Sequence, residues 1–227
     1  MKISFIMILA VLFSVNSVNA QILRAEELEE YAKELYGEEW VDAATELGPS
    51  IELDKNSCLT LTDIITAEGK SKEELYVLTN YWFTSTFNDA NSVINLNDKE
   101  LGKIIAQGCL ANIAVHKGGM SSYNISIRPI IKCDIKEGRV RVTYTLPYYE
   151  VVKVFGGGMV SGFVNKPSPE EDSKWVLDQC FPFVSKDSHK KASSKALIMS
   201  YAYSKFVMDK IRECIENGVA GNEEDDW

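Results

Sequence analysis

The feature that most constrains this chain is a strict alternation between residues 121 and 146. Tyr123, Ile125, Ile127, Ile131, Cys133 and Ile135 hold odd positions, while Asn124, Ser126, Arg128, Lys132 and Asp134 hold even ones. After Glu137-Gly138 the pattern returns, with Val140, Val142, Tyr144 and Leu146 set against Arg139, Arg141, Thr143 and Thr145. Successive strand side chains point to opposite faces, so both arms read as an antiparallel hairpin with one buried and one wet face. A strand over 103–116 is expected to pair with its other side, joined through the loop His116-Lys117-Gly118-Gly119.

The flanking segments supply the second layer. Cys58 to Thr66 is strand-like, and Gly69-Lys70 turns the chain. Ser71-Lys72-Glu73-Glu74 is a capping-box pattern, opening a helix that presents Leu75, Leu78, Thr79, Trp82, Phe83 and Thr86 on one face and runs to about Phe87. Asn88-Asp89-Ala90-Asn91 stops it, Val93 to Leu96 is a short strand, and Asn97-Asp98-Lys99-Glu100 turns into Ile104-Ile105. Strand, helix, then four strands gives an α+β fold: an antiparallel sheet with a helix on its apolar face. Helical extensions flank it. Leu28, Tyr31, Ala32 and Leu35 recur at helical spacing, Gly37 interrupts, and Trp40, Ala43, Ala44 and Leu47 resume the stripe before Gly48-Pro49-Ser50. Residues 193–217 read as an amphipathic helix with Leu197, Ile198, Tyr201, Met208, Ile211 and Ile215 inward and Gly218 as its stop.

The first twenty residues carry an address. Lys2, the apolar run Ile3 to Val15 and the small-residue ending Val18-Asn19-Ala20 follow the order of a secretory signal peptide. The run is shorter than the roughly 20 apolar residues a membrane span needs. Cleavage after Ala20 leaves Gln21 first and takes away Lys2, moving the net charge from −9 to −10. The expected organisation is a signal peptide at 1–20, a helical segment at 21–50, an α+β domain at 51–155, an extension at 156–220 and an acidic, disordered tail at 221–227.

The segment from Leu59 to about Val154 resembles a domain of unknown function with a TATA-binding-protein-like fold, found in exported proteins of Bacteroides-type bacteria. Leu75-Tyr76, Asn80-Tyr81-Trp82-Phe83, Ser92-Val93-Ile94, Asn97 to Ile105 and Val140 to Thr145 carry the resemblance. It implies a curved antiparallel sheet backed by helix, and it transfers no catalytic residue. Fold does not imply function.

No residue pattern names a reaction. Gly156-Gly157-Gly158-Met159-Val160-Ser161-Gly162 puts Ser161 where a dinucleotide loop needs its last glycine and Phe163 where a Walker lysine belongs. It reads as a flexible strand-to-loop exit, and Lys166 to Asp172 as a polar linker or surface loop. His116 and His189 are the only histidines, too few for a His-based metal site or triad, and His116 reads as a solvated loop residue. The five cysteines are widely spaced and odd in number; Cys109 and Cys133, in strand-like runs, read as buried free thiols, with a disulfide framework as the alternative. The crowded aromatics from Tyr76 to Phe87 are core, with Tyr76 and Tyr81 as candidates for exposure. Neither cofactor nor metal is expected. An acidic chain is a poor partner for nucleic acid.

One site remains. Asn124, Arg128, Lys132, Arg139 and Arg141 fall on the polar sheet face and form a basic strip on an acidic protein, suited to an anionic ligand or an envelope protein. The plain alternative for these side chains is solvation of an open sheet. A non-enzymatic, exported (periplasmic or extracellular) binding module is therefore the leading reading. The other is a cell-envelope hydrolase of glycan or peptide. It needs two carboxyl groups about 5–10 Å apart across a cleft, and the sequence neighbours Glu73-Glu74 and Glu170-Glu171 do not provide that.

Overall fold

The structure, a computed structural model, describes residues 25–87, 90–117, 121–155 and 170–218. The expectations for residues 1–20, 156–162, 166–169 and 221–227 lie outside these residues. Two antiparallel sheets and a set of helices share one hydrophobic core. The expected α+β class is the one observed. Among the described residues no helix is long and apolar enough to cross a membrane.

The N-terminal stripe folds as α1 (Ala25–Tyr36) and α2 (Trp40–Leu47), parted at Gly37. Next come β1 (Leu59–Thr66), α3 (Lys72–Thr86), the short α4 (Ala90–Val93), β2 (Ile94–Asp98) and β3 (Lys103–Gln107). Strands β4 (Leu110–Lys117), β5 (Ser121–Ile127), β6 (Ile130–Lys136), β7 (Arg139–Leu146) and β8 (Tyr148–Phe155) follow. The described chain closes with β9 (Glu170–Val176) and α5 (Lys190–Asn217). The five-stranded sheet runs β1-β7-β6-β3-β2 and the four-stranded sheet β4-β5-β8-β9.

Three long paths are each broken at one level, and each gives one half to either sheet. The breaks fall at Gly108-Cys109, Arg128-Pro129 and Pro147. Prolines lack the N–H that a ladder needs. Gly108 lies so close to Phe87 that an added Cβ would sit 2.8 Å from its ring. Opposite the two residues between Ile127 and Ile130, the partner path has three between Thr145 and Tyr149, so Pro147 sits in a bulge. The extra residue switches parity: Val140, Val142, Tyr144 and Leu146 are buried before it, Tyr149 and Val151 after it.

This arrangement corrects the single hairpin expected over 121–146. Only β6 and β7 form it, around Glu137-Gly138, while β5 pairs with β8. The 103–116 strand is likewise two strands in two sheets. Burial still alternates as the sequence required, because β5 and β6 have no extra residue between them: Ile125, Ile127, Ile131, Cys133 and Ile135 are all buried.

On the inner face, α3 buries Leu75, Thr79, Trp82 and Phe83. Each such apolar side chain contributes roughly 1.5–3 kcal/mol of transfer free energy. Its capping box is complete, with the Ser71 hydroxyl accepting from the Glu74 N–H and the Glu74 carboxylate accepting from the Ser71 N–H. Glu137 of the β6–β7 turn also accepts from the Lys72 N–H at 3.0 Å. Gly102, at φ +63°, has Ile135 O 2.5 Å from where a Cβ would stand, so the turn into β3 requires glycine.

Helix α5 differs from a one-sided amphipathic helix. From Ala192 to Ser204 it is buried almost all round, packed against α1, α2, α3, β1, β4 and β5. Small residues (Ala192, Ser193, Ser194, Ala196, Ser200, Ala202, Ser204) make that close approach possible. Ser200 and Ser204 satisfy their hydroxyls on Ala196 O and Tyr201 O, each at 2.6 Å.

Glu170-Glu171-Asp172, expected in a linker, begin β9 instead. Its alternation is hidden by charge, and it pairs with β8 as an edge strand. His116, expected in a loop, is half-buried in β4. Cys109, expected to be buried, is exposed at the β3–β4 break, whereas Cys133 is buried.

Candidate functional site

The outer face of the five-stranded sheet is set by register. Row by row it carries Thr60-Thr145-Ile130-Gln107, then Thr62-Thr143-Lys132-Ile105-Leu96, then Ile64-Arg141-Asp134-Lys103-Asp98, then Thr66-Arg139-Lys136. Threonines fill the end near the breaks, and cations fill the end near the β6–β7 turn.

Asp134 organises that charged end. Arg141 donates to its Oδ2 from Nη2 at 2.9 Å and Nε at 3.2 Å, and Lys132 Nζ lies 3.0 Å away. Lys103 Nζ stands 4.0 Å from the other oxygen. Burial pushes this carboxyl up, but the hydrogen bonds and charges of Lys132 and Arg141 outweigh it and hold the group below the usual carboxylate range. Sequence reading gave Asp134 no role, although its place between Lys132 and Arg141 was legible once the hairpin register was assigned.

Arg139 and Lys136 face each other across the last pair of the hairpin. Among the described residues no carboxylate is paired with either. Together with Ile64, Asp134 and Arg141 they line a depression of about 200 Å³. Ile64, on the edge strand β1 and 55% exposed, is the apolar member of this lining.

The expected strip thus falls into two groups. Lys132, Arg139 and Arg141 share the five-stranded sheet. Arg128 stands at the break and donates through Nε to both oxygens of Glu150, at 2.9 and 3.0 Å. Hydrogen bonding to Glu150 raises its already high pKa further. Asn124 lies on the four-stranded sheet between Val115 and Val152. The breaks at Pro129 and Pro147, invisible to a period-two count, separate them.

Two further depressions are lined by described residues. One, of about 460 Å³, lies over β8 and β9 and includes Glu150, Asp172 and Lys174; Arg128 already engages its Glu150. The other, of about 290 Å³, lies where Trp40 and Glu39 of the α1–α2 hinge meet His116 of β4 and Lys195 of α5. Lys195 is committed there to Glu29 at 2.6 Å. His189, before α5, stacks on Trp175 with ring centroids 4.6 Å apart and meets Tyr123 edge-on at 4.8 Å. No group of His, Cys, Asp and Glu among the described residues is arranged to hold a metal ion.

Residues 62–150 match the family model of a domain of unknown function (DUF4468) with TBP-like fold. Over this segment the chain is similar to DUF4468 domains. The match begins inside β1 and ends inside β8, so it contains the whole β6–β7 hairpin and excludes α5. Two crystal structures are similar to the chain. A TBP-like protein from Parabacteroides distasonis is 10% identical, with a TM-score of 0.49, over 71% of this chain and 94% of that one. A DUF4468 family protein from Bacteroides ovatus is 14% identical, with a TM-score of 0.45, over 76% of this chain and 92% of that one. No curated protein matches the chain.

Proposed function

We propose that this protein is an exported, non-enzymatic binding module that holds an anionic partner on the outer face of its five-stranded sheet. One observation carries the reading: Lys103, Lys132, Lys136, Arg139 and Arg141 gather on one open face of a chain whose net charge is −9. Against that background a local cationic field steers and orients an acidic partner. The face carries no aromatic side chain on which a sugar ring could stack, whereas Arg141 beside exposed Ile64, with exposed Leu96 at the other edge of the same face, suits a protein surface. Arg128, at the break, and Asn124, beyond it on the four-stranded sheet, take no direct part.

Labelled poly-glutamate is the probe. At low salt the intact chain binds it, and added salt weakens the complex. The K132Q/R139Q/R141Q variant keeps its fold, since surface changes usually cost under about 0.5 kcal/mol each, and loses the binding. Equal binding by the variant, or none by either chain, overturns the reading. The export part rests on residues 1–20, and protein recovered from its native host then begins at Gln21.

A further inference from the structure

The acidity of this chain is concentrated rather than spread. Residues 25–47, the span of α1 and α2, hold nine acids and one lysine, a net of −8 against the −9 of the whole sequence. Glu26, Glu30 and Glu34 recur every four residues along α1 and are exposed, on the side of the helix opposite buried Leu28 and Ala32. The lone lysine, Lys33, pairs with Glu29, which Lys195 also holds. Among the described residues no cation pairs with Glu26, Glu30 or Glu34. The outer face of the five-stranded sheet has the opposite character, with five cations in its rows against two acids, Asp98 and Asp134. We propose that the anionic partner of that face is a second copy of this chain, which lays the acidic stripe of α1 along β6 and β7. The inference rests on the binding face proposed above and deepens it by naming the partner.

The two surfaces match in spacing as well as in sign. Residues four apart on a helix rise about 6 Å, so Glu26 to Glu34 spans about 12 Å. Same-face residues of a strand repeat about every 6.6 Å, so Lys132 to Lys136 on β6 spans about 13 Å and Arg139 to Arg141 on β7 about 6.6 Å. Neighbouring strands lie about 5 Å apart, and a helix about 10 Å across covers two of them. Lys136 and Arg139 face each other with no carboxylate partner among the described residues, so these two cations gain most from an incoming acid. A chain cannot lay its α1 on its own outer face. Helix α1 packs against α5 and β4, and Leu28 and Ala32 fix it to the core that the inner face of the five-stranded sheet also covers. Contact between copies is therefore head to tail, each copy offering one surface of each kind.

Sedimentation of the whole chain over a concentration series tests this. At low salt the mass is expected to rise above that of one chain as concentration rises. In about 1 M salt, where charges are screened within about 3 Å, it is expected to return to one chain. Two variants each remove one surface: E26Q/E30Q/E34Q and K132Q/R139Q/R141Q. Each alone is expected to self-associate at least about tenfold more weakly. Their equimolar mixture keeps one intact surface on each chain and is expected to stop at a 1:1 complex, the mark of a head-to-tail contact. Gln has nearly the helix propensity of Glu, and circular dichroism checks that both variants keep the fold. Unaltered chain that stays single at low salt overturns the inference. So does association that survives high salt, association that either variant retains in full, or a mixture that forms no 1:1 complex. Poly-glutamate separates this inference from the reading beneath it. If it binds through Lys132, Arg139 and Arg141 while the copies stay apart, the binding face stands and the self-recognition falls; if poly-glutamate fails as well, both fall.

Discussion

At the residue scale the cysteines show how far a pattern reaches. Cys133 and Cys109 both lie in strand-like sequence, yet one is buried and one exposed. Alternation settles Cys133, which shares a face with Ile131 and Ile135. Cys109 lies outside the strands, beside the Gly108 break where Phe87 packs close, and there alternation no longer assigns a face. Burial pushes the Cys133 thiol well above its ordinary range, and it pushes Cys180 up to about 12 with help from Asp187 and Asp178. The thiolate is the reactive form, so a colorimetric disulfide reagent at mildly alkaline pH should modify Cys109 promptly in the native protein. Cys133 and Cys180 should react only on unfolding. Mass mapping of the labelled peptides checks this, and native modification of Cys133 at the rate of Cys109 would contradict it.

At the element scale, a helix start is legible where its own side chains cap it, as in α3, and illegible where no side chain does, as in α5. Ser71 and Glu74 announce α3 in the sequence. Helix α5 has no side-chain cap; Asp187, three residues before it, ties its start to the preceding loop instead. It accepts from the Phe181 N–H at 3.0 Å, the His189 N–H at 2.7 Å and the Ser193 hydroxyl at 2.6 Å. The Asp187 side chain is only 7% exposed, so removing it leaves three donors without their acceptor. Asp187→Ala should therefore cost about 1–3 kcal/mol, seen in urea as a lower midpoint at unchanged slope. A midpoint equal to that of the unaltered chain would show the cluster to be incidental. The small residues of α5 tell a similar story: Ala and Ser at successive positions gave the sequence a weak stripe, and only packing against both sheets shows why they are small.

At the scale of the whole molecule, acid is the condition that should undo this fold. Asp134 and Asp187 are both held below the usual carboxylate range; burial opposes this in each case and charge or hydrogen bonds outweigh it. A carboxyl depressed in the folded state stabilises the protein above its unfolded value, near 3.9, and that contribution disappears as pH falls through the folded value. Stability measured by denaturant midpoint should therefore hold from neutral pH down to about pH 5 and decline below about pH 4. Removing Asp187 should flatten that decline, and an unchanged profile in Asp187→Ala would show that its ionisation is not coupled to folding.

The sequence by itself determined the α+β class, the α3 helix with its cap, the β6–β7 hairpin and its turn, and the face on which Lys132, Arg139 and Arg141 stand. Each of these follows from local chemistry: a period of two, a hydroxyl three residues before a carboxylate, a glycine with positive φ at Gly138. The tertiary structure alone decided that three long strands break at one level into two sheets and that Asn124 and Arg128 leave the strip. It alone placed α5 in the core, made a charged segment into β9, and set Asp134 among its cations. The physical reason is the same in each case. A proline or glycine in the sequence marks where a ladder can stop, but whether the chain then bulges, bends or continues depends on partners distant in sequence, such as Phe87 beside Gly108. A charged strand such as β9 is held by backbone bonds to its neighbour, and those bonds leave no trace in side-chain pattern.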